Sequence, residues 1–410
     1  MRVVVVSQWF PPENASIPAD IIRALVDVGH DVTVLTGFPN YPTGRIYDGW
    51  KQRPRQDTCA DGYRIRRVAL YPSHDSSAFK RAAGYLSFGA MSTAFGWSRL
   101  RHADVVYVYH PPLTSAIGPW LSRELGGAPY VLHVQDIWPD SVVEAGMIHG
   151  LPLKTANNLL TRACNAIYRR ADGIICIAPT MASTLRARGA PERSLHVVPN
   201  WADESVFFPT ARDESMALKL GSADHFTVMF AGNLGPLQGL DVAIRAAAQV
   251  RDLADFRLVL VGDGVARASL ATLARDIGAD NVIFVSPQPL SAMNSVTRCS
   301  DVQLVCLRDL SFFRGTIPSK LGAVMASGLP VICAVNGDAG ALVDEAGAGW
   351  ACEAGEVEAL ARTFRSAYAS SEAELSMRGS AARNYYERHM ARPTATTTIE
   401  RILRSAQRRM

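Results

Sequence analysis

No window of this 410-residue chain holds the roughly 18 consecutive apolar, charge-poor residues of a spanning helix, so any membrane role is expected to be peripheral. Cysteine is sparse and unpatterned: the seven (Cys59, Cys164, Cys176, Cys299, Cys306, Cys333, Cys352) form no CxxC pair and have no histidines at zinc spacing. This argues against a disulfide framework or a zinc module and suggests buried apolar thiols in a reducing cytosol. The first apolar run, Val3–Ser7, is too short for a signal peptide and leads straight into Pro-Pro-Glu-Asn, so export is not expected. Low-complexity tracts, short-period repeats and an Asp-x-Asp near a strand end are all missing, and a metal-free chemistry with no cofactor is expected.

An excess of one charge is also missing. The net charge is +4, from 42 Lys/Arg and 38 Asp/Glu, and no nucleic-acid partner is expected. The charge is unevenly spread: Lys51–Arg101 holds ten basic and three acidic residues. That stretch contains AAGYLSFGAMSTAFGW at Ala82–Trp97, flanked by Lys80, Arg81, Arg99 and Arg101. Basic ends around an apolar, aromatic helix suit an anionic membrane surface; an ordinary core helix beside a solvated charge run is the competing reading.

What is present is a long, apolar chain, 48% hydrophobic, which is enough for two cores of about 200 residues each. Strand-like runs at Val3–Ser7, His30–Gly37, Asp104–His110, Pro129–Asp136, Gly173–Ala178 and Leu195–Asn200 alternate with helical periods, the first beginning near Ser16. A proline- and acid-rich stretch, Trp201–Ser215, reads as a linker, after which the βα rhythm starts again with FTVMFAG, RLVLVGDG, NVIFVSPQ, DVQLVCL and PVICAV. The expected fold is α/β, two doubly wound parallel sheets: residues 1–200, residues 201–393, and a last helix, 394–410, returning to the first domain.

Three turns of the second half deliver glycine-rich backbone to helix starts: FAGNLGPLQGL at Phe230–Leu240, LVLVGDG at Leu258–Gly264 and GTIPSKLGAVMASGLPVI at Gly315–Ile332. Unpaired amides and the positive end of a helix suit a diphosphate. In the first half, a carboxylate ends the strand in His133-Val134-Gln135-Asp136, where an acceptor-side base or charge stabiliser belongs. His110 ends another strand and is a second candidate, against an ordinary core role.

The order and wording of these motifs, GNLGPLQGL, the Pro318-Ser319-Lys320 step and HVQDIWPD at His133–Asp140, resemble the family 4 glycosyltransferases, retaining enzymes of GT-B fold. The resemblance is to bacterial transferases of colanic-acid, O-antigen and capsule assembly. It implies two Rossmann-like domains facing across a cleft, a nucleotide-sugar donor on the second, and a growing glycan acceptor, on a polyprenyl diphosphate at the inner face of the cytoplasmic membrane. It places the donor against Gly232, Gly262, Asp263, Gly264 and Ser319, with Gln288 near the base, and the acceptor near Asn14, Ser16 and Trp138. For Asn14 and Ser16, an N-cap is an equal alternative.

The chain departs from the family pattern twice. Asn233 and Gln238 stand where many relatives carry an Arg and a Lys on the diphosphate, leaving Lys320 and Arg314 as the available cations. Gly315 and Ala323 stand where two glutamates are common, leaving Glu345 or Asp344 as candidates for the ribose. The competing functions are a GT-B epimerase or hydrolase and a non-catalytic GT-B partner subunit; donor turnover separates them.

Overall fold

The computed structural model describes residues 1–73, 78–139 and 153–408. The chain divides into two compact units, Met1–Val198 with Ala395–Met410, and Pro199–Thr394.

The first unit is built on an eight-stranded sheet. Its strands are β1 (Arg2–Val6), β2 (Asp31–Gly37), β3 (Arg55–Ala60), β4 (Tyr63–Val68), β5 (Val105–His110), β6 (Tyr130–Val134), β7 (Gly173–Cys176) and β8 (Leu195–Val197), in the order β3-β4-β2-β1-β5-β6-β7-β8. All neighbours run parallel except β3 and β4. β1 is central, pairing with β2 and β5, and its run of valines is buried on both faces, as a strand between helical layers must be. Burying each such side chain stabilises the fold by about 1.5–3 kcal/mol. The last helix, Arg392–Gln407, contributes Ile399, Ile402 and Leu403 to buried positions, and the Glu400 carboxylate meets His30 Nε2 at 2.9 Å.

Strands β3 and β4 lie in the stretch that composition alone presents as a charge run. They form a hairpin closed by Asp61-Gly62, both at positive φ (50° and 83°), the turn that matches strand twist. The cationic run is thereby largely paired. Arg66 donates twice to Asp57 (2.7 and 2.9 Å), Arg64 donates to Asp31, and buried Arg67 donates to the Gly37 and Pro11 carbonyls.

The helix Ala78–His102 extends beyond the expected Ala82–Trp97. Its glycines permit close packing: a Cβ on Gly89 would lie 2.8 Å from the Thr114 carbonyl oxygen, and one on Gly96 2.4 Å from a Leu35 methyl. Phe88, Ser92 and Leu100 are buried on this inner face, whereas Phe79 and Leu86 stand in solvent. Six of the cysteines are shielded to some degree, but Cys59 lies on exposed β3, against the expectation of burial.

The second unit has a six-stranded, all-parallel sheet of β9 (Phe226–Ala231), β10 (Phe256–Val261), β11 (Val282–Val285), β12 (Val302–Cys306), β13 (Val331–Ala334) and β14 (Gly349–Ala351), ordered β11-β10-β9-β12-β13-β14. The strand order reverses between β10-β9 and β12, so ligand-binding turns collect at the ends of β9, β10 and β12.

Candidate active site

On the second unit, the turns after β9 and β10 interlock. Gly232 N donates to Val261 O (2.9 Å), and Leu234 N donates to Asp263 O (2.8 Å). A Cβ on Gly262 (φ 142°) would fall 1.9 Å from the Gly232 carbonyl oxygen, so only glycine lets the two turns meet. Gly264 similarly faces the Leu234 carbonyl and the Asn233 amide, while Asp263 Oδ1 accepts from Gly264 N (2.8 Å). We expect Gly262→Ala to add about 1–3 kcal/mol of backbone strain by pushing Gly232 aside, a loss that urea unfolding measures.

Beneath this cradle lies Lys320, near the start of the helix Ser319–Ala326. Its Nζ is buried without a hydrogen-bond partner, 2.8 Å from the centre of the Phe230 ring and 3.2 Å from where a Cβ on Gly232 would sit. Burial pushes the ammonium down from 10.5 to about 7. The Cys306 thiol beside it is itself raised to about 12 by burial and so supplies no compensating anion at neutral pH. An unsatisfied ammonium under a glycine cradle costs free energy until an anion arrives.

The other donor-side candidates are placed less centrally. Ser319 is exposed next to Lys320, and Gln238 is half-buried in the turn Pro236–Gln238. Gln288 donates to the Ser286 carbonyl of its own loop (3.1 Å) after β11. Arg314 is exposed and ion-paired with Asp309 (3.5 Å), while its backbone abuts Gly337. Glu345 sits near the C-terminal end of the helix Asp338–Ala346, hydrogen-bonded to Tyr385, whereas the start of that helix adjoins Arg314. The glycine turns and Lys320 therefore form one group, to which Glu345 does not belong. Two arginines that the sequence reading did not single out do border it. Arg308 donates to the Pro236 carbonyl (2.5 Å) and Asp241 (3.2 Å), and Arg267 to the Gly262 (2.5 Å) and Val285 (3.0 Å) carbonyls.

On the first unit, the C-terminal ends of β1, β2, β5 and β6 carry a chain of rings. Trp9 packs on Tyr41 (5.3 Å) and Tyr85 (6.5 Å), Tyr85 on Trp138 (5.6 Å), and Trp138 on His110 (5.9 Å). Asp136 follows β6 with a solvent-accessible carboxylate, yet the protein around it displaces enough water to raise its pKa, and its charge is felt by Tyr85 and Tyr109. His110 is fully buried, both ring nitrogens lack partners, and burial lowers it to about 3, so it is a neutral hydrogen-bonding group at physiological pH. His133 is equally buried and equally lowered, with Nδ1 on the Tyr107 hydroxyl at 2.5 Å. Asp140, the end of the HVQDIWPD motif, lies outside the described residues.

The loop before the helix Ser16–Asp27 is organised by Glu13, not by its neighbours. Asn14 and Ser16 are exposed, and the N-cap is Ala15 with no side-chain cap bond, so the capping alternative fails. The buried Glu13 carboxylate instead accepts from Phe10 N (3.0 Å), Asn40 N and Tyr41 N (both 2.8 Å), tying the β1 and β2 loops together. Desolvation raises its pKa despite these donors and nearby Arg67. In Glu13→Gln an amide NH₂ must face a buried N–H, and a loss of about 1–3 kcal/mol in urea unfolding is expected, the cost of one unsatisfied buried donor.

Two family models match along the chain: the Glycosyl transferase 4-like domain over residues 16–201, and Glycosyl transferases group 1 over residues 225–370. The chain belongs to the family 4 glycosyltransferases. WcaI of Escherichia coli K12, whose name places it in colanic acid biosynthesis as a glycosyl transferase, is 28% identical over 340 residues, 80% of this chain and 82% of WcaI. The glycosyltransferase WbjE of Pseudomonas aeruginosa is 30% identical over 269 residues, 65% and 66% of the two chains. Among solved structures, Anabaena HepE in complex with UDP superposes with a TM-score of 0.70 at 17% identity, covering 99% of this chain and 100% of that one. Sucrose-phosphate synthase from Thermosynechococcus elongatus gives 0.71 at 16%, covering both chains fully. The fold of this glycosyltransferase is thus GT-B, with two Rossmann-like domains.

For the transferase, Trp138 is a core residue rather than an open rim. It is buried, its carbonyl accepts from Arg188 (2.8 Å), and its ring lies between Tyr85 and His110. The more open rings are Trp9, Tyr41 and Tyr85, which sequence reasoning missed. The available signal was an aromatic residue within four positions of the ends of β1 and β2.

Proposed function

We propose that this enzyme is a retaining transferase that moves a sugar from a nucleoside diphosphate donor onto a polyprenyl-diphosphate-linked glycan at the inner face of the cytoplasmic membrane, in cell-surface polysaccharide assembly. The observation that carries the donor half is the Lys320 ammonium, buried without a hydrogen-bond partner beneath the Gly232 and Gly262 turns. A diphosphate seated on that backbone would supply the missing anion and accept from the turn amides. The named involvement of WcaI in colanic acid and the UDP bound to HepE support the substrate classes.

In this reading the bond from the anomeric carbon to the diphosphate breaks as the acceptor oxygen bonds to the same face. Lys320 stabilises the charge left on the diphosphate, in place of the customary Arg and Lys and without a divalent ion. Asp136 orients the acceptor hydroxyl and takes its proton, and the neutral His110 contributes at most a hydrogen bond. Catalysis is therefore largely positional and electrostatic. No helix of the described residues is long and apolar enough to cross a membrane, and we place the enzyme peripherally in the cytoplasm.

A panel of UDP-, GDP- and dTDP-sugars tests the reading. The correct donor at a hundred times its dissociation constant should stabilise the fold by about 2.7 kcal/mol. Turnover should survive EDTA, and NMR of the first-formed product should show the donor's anomeric configuration. An inverted product, or no stabilisation by any donor, overturns it.

A further inference from the structure

The helix Ala78–His102 has two unlike faces. Inward, Tyr85 reaches Trp9 and Trp138, and Phe88 is fully buried. Outward, Phe79 is 83% and Leu86 57% exposed, on one stripe with Ala83 and Ala90 at spacings of four, three and four residues. Tyr71, 46% exposed, adjoins the same stripe: its N–H donates to Ser87 Oγ (2.8 Å), and a Cβ on Gly84 would lie 2.9 Å from its carbonyl oxygen. Isolated exposed apolar residues need no explanation, but three large ones gathered on one region of the surface do. The helix has Lys80 and Arg81 in its first turn, Arg99 and Arg101 in its last, and not one acidic residue among its 25.

We propose that Tyr71, Phe79 and Leu86, with Lys80 and Arg81, form the foot by which this enzyme rests on an anionic bilayer. Apolar side chains entering the acyl boundary, beside cations at headgroup level, are what an interfacial helix requires. The foot is also in the right place. The helix ends just before β5 begins, so its first turns lie at the C-terminal ends of the strands, beside Tyr85, Trp138 and Asp136. The proposal deepens the lipid-linked acceptor reading and takes its purpose from it: the foot holds the acceptor edge at the depth where a polyprenyl diphosphate presents its sugar.

Vesicle co-sedimentation tests it, using phosphatidylcholine vesicles with and without 30% phosphatidylglycerol. Wild type should bind the anionic vesicles, and the Tyr71→Ser/Phe79→Ser/Leu86→Ser variant at least tenfold more weakly. Lys80→Gln/Arg81→Gln should bind more weakly at low salt and converge on wild type at high salt. Because these apolar side chains stand in solvent, melting temperature and nucleotide binding should not change, and Phe79→Ser alone, the most exposed position, should already reduce binding. Absence of wild-type binding, or equal binding by the triple variant, overturns the proposal. So does a dimer in light scattering that Phe79→Ser dissolves without any vesicle binding, which would assign the face to a second copy. Failure of the transferase reading is distinguishable, because vesicle binding does not depend on turnover. Conversely, a triple variant that still glycosylates a water-soluble acceptor but has lost the bilayer-embedded one supports both.

Discussion

Replacing Asp136 by Asn is expected to lower turnover at least a hundredfold, about 2.7 kcal/mol in barrier, while donor affinity stays within twofold. The isostere keeps the shape of the side chain after β6 and removes the charge that, in the proposed mechanism, orients and deprotonates the acceptor. Desolvation raises the Asp136 pKa above its ordinary 3.8, so the acid limb of kcat/KM should lie above that value and vanish in the variant. The stability consequence has the opposite sign to the usual paired carboxylate. Between 3.8 and the raised value the folded chain holds a proton that the unfolded chain has released, and stability falls as pH rises through that window. At neutral pH, Asp136→Asn should therefore be at least as stable as wild type. Stopped assays across pH 4–8 with calorimetric melting check both. Near-normal turnover would assign the proton to the substrates, since His110 stays neutral down to about pH 3.

Lys320→Met is expected to weaken nucleotide binding by 1.5–3 kcal/mol, roughly ten- to 150-fold, the range for a hydrogen bond to a charged group. The same change should stabilise the ligand-free protein at pH 6, because it removes a buried ammonium with no hydrogen-bond partner. The folded value of about 7 lies below the ordinary 10.5. In between, the unfolded chain carries a proton that the folded chain lacks, so wild-type stability rises with pH across that window and its deficit against the variant shrinks. A bound diphosphate favours the charged amine, so at pH 8 binding should take up protons. Calorimetry in buffers of different ionisation enthalpy reads this directly, and unchanged affinity in the variant would remove Lys320 from the site.

The sequence by itself determined the α/β class, the central parallel strands of each sheet and the glycine turns, because these rest on local patterns. Buried parallel strands are continuous apolar runs, and Gly232, Gly262 and Gly264 punctuate strand ends. The hairpin Arg55–Val68 was missed, because its dense arginines masked the strand alternation. Only the tertiary structure decided the ionic states and the groupings. Lys320 is unusual because Phe230 and Cys306, far away in sequence, strip water from it. Glu13 matters because three amides from two loops converge on it. Glu345 leaves the donor group because its helix points it away, toward Tyr385. Burial and partner choice are set by residues distant in the chain, so no local pattern could reveal them.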